Sequence, residues 1–342
     1  MITIAGRILT ENGLKKGYIT CTGSTIHSLE FGSCPITPDQ KGIITPTFVN
    51  MHTHLGDAFI AEKHIPLPHD IMQLVAPPDG IKHQQLNNST DEEIITGMKN
   101  AINAMLSYGT TRFVDFRENG QQGIDRIKKA LQDFSIESSI LSRPKSLIYD
   151  KKEVEQLLRN SDGIGLSSIS DWNYEDIEEI ADQTKQQHKL FAIHASERIR
   201  EDIDNIIALK PDFIIHMVKG TKQDLQKIKD AGIPIVLCPR SNTFFRLKPP
   251  IKLMKTIGNT LLIGTDNAML HPPYLLDEIY HLKTIEPGLF TIEELLTMIT
   301  SLPRKVLNPK EDILDASFSS SYVVLDERTL QAIVPTILFR DG

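Results

Sequence analysis

The chain has few cysteines, a single tryptophan and no excess of positive charge. Its three cysteines among 342 residues are too few and too scattered for a disulfide framework, which favours a reducing cytoplasm. The formal net charge of −7 argues against a nucleic-acid backbone or an anionic membrane as the main partner. No apolar run approaches the length of a membrane span. These absences predict a cytoplasmic protein that acts on a small molecule, and they leave homo-oligomer formation open.

The two ends of the chain are rich in strand patterns. Residues 1–45 contain short alternating segments broken by glycine and serine, and residues 309–342 repeat the pattern. We expect both ends to pair into one small composite β domain. This leaves residues 46–308 as one large domain.

Strand and helix patterns alternate eight times in that large domain. The candidate strands cover residues 47–50, 111–116, 138–142, 163–167, 190–194, 212–216, 233–238 and 261–266. Eight successive βα units are typical of a closed (β/α)8, or TIM, barrel. Three of the helices are expected to begin at capping-box pairs, namely Thr90 with Glu93, Thr221 with Asp224, and Thr291 with Glu294.

The first βα connection, residues 55–88, is unusually long and contains four prolines after residue 65. Connections of this length in a compact domain are usually lids or binding loops. The pattern does not indicate what this one does. Its three histidines, His64, His69 and His83, are expected on the solvated surface.

Polar residues that could bind a metal stand at the carboxyl ends of the apolar strands. His52 and His54 close the first strand, and His194, His216 and Asp266 end three later ones. Metals such as zinc take imidazole nitrogens and a carboxylate, with one position left for water. Because strand ends around a barrel meet at one face, this pattern predicts a metal centre of a hydrolase.

Each of these residues also has an ordinary structural explanation. A single histidine on an apolar segment is more often a core residue, but two on one side of a strand end favour a metal. Glu197 is either an acid favoured by a helix N-terminus or a proton shuttle beside an activated water. His216 is either a ligand or a donor that polarises the group under attack. Asp266 fits a turn, although a turn needs no histidine partners on neighbouring strands.

Five motifs with these residues follow one another along the barrel. They are Val49-Asn-Met-His-Thr-His, His194-Ala-Ser-Glu, Ile215-His, Cys238-Pro-Arg-Ser-Asn and Gly264-Thr-Asp. In kind and order they resemble the amidohydrolase superfamily, in the branch that includes cytosine, guanine and S-adenosylhomocysteine or methylthioadenosine deaminases and the triazine hydrolases. The resemblance implies a distorted (β/α)8 barrel with a small composite β-sandwich formed by the two termini.

The resemblance also implies roles for the residues in these motifs. The metal ligands would be His52, His54, His194 and Asp266. Glu197 would shuttle protons, His216 would orient or polarise the substrate, and Asp266 would also accept a hydrogen bond from the attacking hydroxide. Members with two metals usually bridge them with a carboxylated lysine at the end of the fourth strand, and residues 163–170 contain no lysine. One divalent metal is therefore expected, zinc first, with iron(II) and manganese as alternatives.

The function that this resemblance implies is deamination of a heterocyclic amidine, such as a purine, pterin or pyrimidine, with release of ammonia. A cyclic amide or ring hydrolase of the imidazolonepropionase type and a triazine-type hydrolase share the ligands and stay open as alternatives. A barrel that serves only as a scaffold is the third alternative. Loss of ligands would mark such a scaffold, and here every ligand position is filled.

Candidate substrate contacts follow the other strands. They are Arg117, Arg143, Trp172, Asn242 and His271, with Glu118 beside the first of them. Trp172 either stacks on a heterocycle or packs within its loop. Asn242 belongs to a Ser-Asn pair that is expected to fix its loop by hydrogen bonds. The acidic first-loop signature of the adenosyl-compound deaminases is not recognisable in residues 55–61, so the substrate itself is left undetermined.

Overall fold

The computed structural model describes residues 1–309 and 321–340. Residues 310–320 and 341–342, which belong to the predicted C-terminal segment 309–342, lie outside the described residues. The strands are β1 (Ile2–Thr10), β2 (Gly13–Thr22), β3 (Thr25–Phe31), β4 (Gln40–Pro46), β5 (Phe48–His54), β6 (Thr110–Arg117), β7 (Glu137–Ser142), β8 (Gly163–Leu166), β9 (Leu190–Ala195), β10 (Phe213–His216), β11 (Ile235–Leu237), β12 (Leu261–Ile263), β13 (Asp266–Asn267), β14 (Tyr322–Leu325) and β15 (Ala332–Arg340).

The helices lie mainly between the strands of the large domain. They are α1 (Ile71–Leu74), α2 (Ile81–Asn88), α3 (Asp91–Ser107), α4 (Gly120–Leu131), α5 (Lys151–Asn160), α6 (Tyr174–Gln186), α7 (Ile203–Ala208), α8 (Lys222–Asp230), α9 (Pro239–Phe244), α10 (Ile251–Ile257), α11 (Leu275–Ile285), α12 (Ile292–Thr297) and α13 (Ser301–Leu307). Two 3-10 helices cover Leu55–Lys63 and Ile169–Asp171. Within the described part of the chain, no helix is long and apolar enough to cross a membrane.

The two termini form one β domain. Its six strands are hydrogen-bonded in the closed order β1-β2-β3-β15-β14-β4, so the two C-terminal strands β15 and β14 lie together between the N-terminal strands β3 and β4. Ile8, Ile19, Ile44 and Tyr322 are buried inside it. The composite domain that the strand patterns predict is thus confirmed as a fold feature, while its bounds at residues 45 and 309 stay a prediction.

The large domain is a distorted (β/α)8 barrel, as expected. Its strands run in the order β12-β11-β10-β9-β8-β7-β6-β5-β13. The eighth strand is divided, because β12 pairs with β11 whereas β13 pairs with β5, and this change of partner closes the ring. At the division, a Cβ on Gly264 would lie 2.6 Å from the Cβ of His52. Only glycine allows the eighth strand to pass this close to the first.

The local signals in the sequence agree with the structure. All three predicted capping boxes are present, each with reciprocal hydrogen bonds between the threonine and the acid three residues later. The barrel interior below the strand ends is apolar and holds Val49, Met51, Phe116 and Val236, all buried. Full burial of such a side chain stabilises the fold by about 1.5–3 kcal/mol. This packed floor gives the strand ends a rigid base.

The first connection, residues 55–88, is largely folded into helices and is not an open loop. It consists of the 3-10 helix Leu55–Lys63 followed by α1 and α2, and it packs against α3. Leu55, Phe59, Leu74 and Leu86 are buried in this contact. These apolar residues hold the connection over the carboxyl ends of the strands.

Candidate metal centre

Four side chains converge above the barrel floor. His52 and His54 stand on β5, His194 on β9 and Asp266 on β13, and we call these four the ligand set. The Oδ1 atom of Asp266 lies 3.3 Å from His52 Nε2 and 3.6 Å from His54 Nε2. The Nε2 atoms of His54 and His194 are 3.4 Å apart. Two ligands at tetrahedral positions around zinc are about 3.4 Å apart, given zinc–nitrogen bonds of about 2.1 Å, so these spacings fit one ion.

His52 supplies a direct test of that fit. Its ring is fully buried, and among the described residues neither Nδ1 nor Nε2 has a hydrogen-bond partner. An orphaned buried nitrogen costs free energy unless something binds it. A metal ion coordinated by Nε2 would remove that cost.

Contacts at Nδ1 orient the other two histidines of the ligand set, His54 and His194. The Nδ1 of His194 donates to the carbonyl oxygen of Leu166 at 2.8 Å, and the Nδ1 of His54 lies 2.8 Å from Glu118 Oε1. A proton on Nδ1 leaves the lone pair of Nε2 free for a metal. Burial lowers the pKa of His54 to about 3 and that of His194 well below its usual range, so both rings are neutral at neutral pH.

Asp266 is held by two neighbours. Ser241 Oγ donates to its Oδ2 at 2.5 Å, and the side-chain amide of Asn267 donates to its Oδ1 at 2.9 Å. The backbone also turns sharply at the strand ends, because Asp266 has φ +62° and His216 has φ +77°. Non-glycine residues rarely adopt the left-handed region, and such conformations concentrate at functional sites.

Glu197 and His216 form a pair beside the ligand set. The Oε1 of Glu197 lies 3.4 Å from His216 Nε2, while the amide nitrogen of Asn242 donates to His216 Nδ1 at 3.4 Å. That arrangement places the ring proton of His216 on Nε2, towards Glu197. Burial and the nearby Asp266 carboxylate raise the pKa of Glu197 well above its usual range. Glu197 therefore holds a proton more readily than an exposed glutamate, which favours a role in acid–base catalysis.

A cavity lies directly above these groups. Its floor is lined by His54, His194, Glu197, His216 and Asp266. One side is the segment 71–88 of the first connection, which we call the cavity wall. Polar and aromatic side chains from outside the wall complete the lining, among them Arg143, Ser167, Asp171, Arg198 and Phe245.

Of the five predicted substrate contacts, Arg143 lines this cavity and the other four do not. Among the described residues, the Arg143 side chain has no hydrogen bond or ion pair, although Glu118 and Asp171 lie near enough to act on its charge. Arg117 is buried beneath the cavity, 3.1 Å from Asp115 Oδ2 and paired with Glu118.

The remaining three residues have structural contacts. The indole Nε1–H of Trp172 donates to Ser167 Oγ at 3.0 Å, and the side chain is packed in the core. Asn242 stands behind His216 rather than beside the cavity. His271 lines a separate groove and contacts Phe244.

Several residues of the site could not be identified as site residues from the sequence. The expectation that His83 is solvated is wrong, because α2 folds over the strand ends and leaves His83 only 7% exposed in the cavity lining. Lys82 is buried beside it. Glu201 is buried as well, and its carboxylate accepts the backbone N–H of Ser196 at 2.6 Å and of Ser170 at 2.9 Å. These contacts fix the loop that carries Glu197.

A barrel that brings three histidines, an aspartate and a glutamate to one cavity is typical of a class of metal-dependent hydrolase. Residues 43–313 match the Amidohydrolase family, and the chain therefore belongs to that family. The resemblance predicted from the five motifs is confirmed.

Two relatives show how far the sequence similarity extends. The chain is 33% identical to an uncharacterized protein of Methanocaldococcus jannaschii, over 94% of this chain and 85% of that protein. It is 25% identical to a 5-methylthioadenosine/S-adenosylhomocysteine deaminase of Caldicellulosiruptor saccharolyticus, over 86% of this chain and 72% of the relative.

Solved structures share the fold. The 5-methylcytosine deaminase of Klebsiella pneumoniae gives a TM-score of 0.75 at 13% identity, covering 99% of this chain and 96% of that one. The zinc complex of an atrazine chlorohydrolase of Arthrobacter aurescens gives 0.67 at 15% identity, covering 98% and 97%. At these identities the likeness shows the fold alone.

Proposed function

We propose that this protein is a mononuclear metal-dependent aminohydrolase that releases ammonia from a heterocyclic amidine, such as a purine, pterin or pyrimidine. The observation that carries the proposal is the geometry of the ligand set, in which Asp266 Oδ1 lies 3.3 Å from His52 Nε2 and 3.6 Å from His54 Nε2, and the Nε2 atoms of His54 and His194 are 3.4 Å apart. The similarity to a 5-methylthioadenosine/S-adenosylhomocysteine deaminase supports the same reaction class.

The ligand set supports one metal. His52, His54, His194 and Asp266 would hold it, with zinc as the first choice because imidazole and carboxylate ligands suit it. Strand β8 and the residues after it, 163–170, offer no lysine that could bridge a second ion. When bound, the metal lowers the pKa of water so that hydroxide is available near neutral pH.

The protein's own groups move the protons. Glu197 takes one proton from the attacking water and delivers it to the ring nitrogen as the C–O bond forms. It then moves the proton of the newly added hydroxyl group to the amine, and the C–N bond breaks. Desolvation and the nearby Asp266 carboxylate raise the pKa of Glu197, so it takes up a proton more readily than an exposed glutamate. The Nε2–H of His216 points towards Glu197, into the space where the substrate would bind. It would contact a substrate atom next to the carbon under attack and so orient that carbon. Ammonia leaves, and a carbonyl remains on the ring.

The cavity suits a flat ring with a polar edge. Ile71, Val75 and Phe245 supply apolar surface, and Arg143 supplies a guanidinium group that has no side-chain partner among the described residues. A donor group in the cavity lining that has no protein partner is stabilised by an acceptor on the substrate. Arg143 is therefore the substrate contact that the geometry supports best.

Two other reactions use the same ligands and differ in the leaving group. A cyclic amide or ring hydrolase would open a ring without releasing ammonia, and a triazine-type hydrolase would release another substituent. The triazine-type reaction stays an alternative because the chain shares its fold with an atrazine chlorohydrolase. A scaffold without catalysis is disfavoured, because all four ligand positions are filled and Glu197 lines the same cavity as His54, His194 and Asp266.

The location and assembly of the enzyme stay predictions. The three cysteines are free thiols, which supports the reducing cytoplasm expected from the sequence.

The proposal is tested by ammonia release from a panel of purines, purine nucleosides, pterins, pyrimidines and triazines, using purified protein reconstituted with zinc, iron(II) or manganese. We expect ammonia from one chemical class, at one metal per chain, and release that is slower by about 10²- to 10⁴-fold from the matched Glu197→Gln protein. Silence across the panel in protein with confirmed metal content would overturn deamination and direct the search to ring or amide hydrolysis.

A further inference from the structure

We propose that Lys82 is a positioning residue that holds the cavity wall, residues 71–88, against the residues that support the ligand set. Metal binding and closure of the substrate cavity are coupled through it. The inference rests on the metal-binding part of the proposed function and is independent of which substrate is used.

Lys82 is a buried lysine with three polar partners. Its side chain is 3% exposed, and its Nζ lies 2.5 Å from Glu118 Oε1, 2.9 Å from Asn267 Oδ1 and 3.3 Å from Asp57 Oδ2. A lysine is almost never buried to this extent unless its charge is paired. The three partners provide that pairing, and two of them belong to the barrel.

Both barrel partners of Lys82 contact a metal ligand directly. Glu118 Oε1, which receives Lys82, also lies 2.8 Å from His54 Nδ1. Asn267, whose side-chain oxygen accepts from Lys82, donates its amide to Asp266 Oδ1 at 2.9 Å. Lys82 is therefore one residue removed from two ligands on two strands, β5 and β13. Partners behind the ligands fix their orientation, and their loss commonly weakens metal binding by 10- to 100-fold.

Other polar side chains of α2 do not reach the barrel. Within the described part of the chain, His83 Nε2 contacts the carbonyl oxygen of Val75, and the amide of Gln84 donates to the carbonyl oxygen of Asp79. Gln85 accepts from Lys63, which also lies in the first connection. Among the described polar side chains of α2, Lys82 is thus the one that connects the wall to the partners of the ligand set.

The charges around Lys82 make its contacts hard to replace. Three buried carboxylates, Asp57, Asp115 and Glu118, share two cations, Lys82 and Arg117. Without Lys82, three acids would be left with one cation in a water-poor environment. Removal of one partner from a buried charged group is strongly destabilising. Without Lys82 the acids would therefore rearrange, and the wall would lose the contacts that hold it against the barrel.

The coupling works in both directions, because binding free energies are reciprocal. An ion held by His54 and Asp266 restrains Glu118 and Asn267, and through them it restrains Lys82 and the wall. The wall should therefore exchange its amide hydrogens more slowly in metal-loaded protein than in metal-stripped protein. Coupling between two sites typically amounts to a factor of about 5 to 150, and we expect a slowing on the order of tenfold.

The experiment compares hydrogen exchange of peptides from residues 71–88 in metal-loaded and metal-stripped full-length protein. In Lys82→Met the effect of metal on these peptides should disappear, whereas Lys82→Arg should restore part of it because it keeps the charge. Lys63→Met is the matched control: Lys63 Nζ donates to Ser89 Oγ at 2.7 Å and to Gln85 Oε1 at 3.3 Å, and in the described part of the chain it contacts no partner of the ligand set. It should keep the metal effect in full.

Peptides from α5, on another side of the barrel, report whether each variant is folded. A metal-dependent slowing of the wall that survives in Lys82→Met, or that is absent from the parent protein, would overturn the inference. Metal binding without ammonia release would overturn deamination and leave the inference standing. A parent protein that takes up no metal would overturn both. In kinetics, the same variant should raise KM by more than it lowers kcat, since the wall faces the substrate rather than the reacting bond.

Discussion

The ligand set and the cavity wall face one another across a single cavity, yet they are built in different ways. The ligands stand on strands β5, β9 and β13, whose pairing fixes their separation before any ion binds. The wall is a separate connection that packs over the strand ends through apolar contacts and through Lys82. We infer that the strands determine the chemistry of the site, whereas the wall determines which molecule reaches it and when.

The largest expected effect comes from removing a strand-borne ligand. His194→Ala should abolish metal binding and turnover together, because His194 Nε2 is one of the converging atoms and its loss leaves three ligands. Metal content of the purified protein and activity are measured side by side. His27→Ala, at an exposed position of the terminal β domain, is the control and should change neither. Full metal occupancy in His194→Ala would remove His194 from the ligand set.

Glu197→Gln separates proton transfer from metal binding. The amide keeps the size of the side chain but cannot take up and return a proton, so turnover should fall by about 10²- to 10⁴-fold at unchanged metal content. Single-turnover rates and metal analysis of the same sample provide the measurement. Near-normal turnover in this variant would eliminate Glu197 as the proton shuttle and would move attention to His216.

The contrast between ligand set and wall also explains what could be predicted from the sequence. Residues on strand ends can be identified because the period of a strand and the topology of a barrel dictate where they meet, as for His52, His54 and Asp266. The capping threonines were predictable for the same reason, since a cap depends on residues three positions apart. Such arguments need only local spacing and one common architecture.

The wall could not be predicted in this way. Lys82 and His83 look like the polar surface of a loop, and their burial depends on α2 folding back over distant strands. Glu201 gives no more signal than any other acid after a strand, although it holds Ser196 and Ser170 in place. Contacts between residues far apart in the chain determine these positions, and no local spacing encodes them.

Arg143 tests the substrate side of the comparison. Arg143→Met should leave metal content unchanged and raise KM by about 10- to 100-fold, which corresponds to the 1–3 kcal/mol of one charged hydrogen bond. The guanidinium has no described side-chain partner to lose, so the folded protein itself should be little affected. Arg7→Met, in the terminal β domain, serves as the control for loss of a surface arginine. An unchanged KM with the identified substrate would show that Arg143 does not contact it.

The smallest expected effect distinguishes packing from stacking at Trp172. Its indole N–H donates to Ser167 Oγ, and the ring lies in the core outside the cavity lining. Trp172→Phe should therefore lower the free energy of unfolding by about 1 kcal/mol, the net value of one hydrogen bond, and leave KM unchanged. Ser167→Ala removes the same bond from its other end, so the two effects should be non-additive in the double variant. A rise in KM specific to Trp172→Phe would instead assign the ring to the substrate, and the wall would then share its role with the loop after β8.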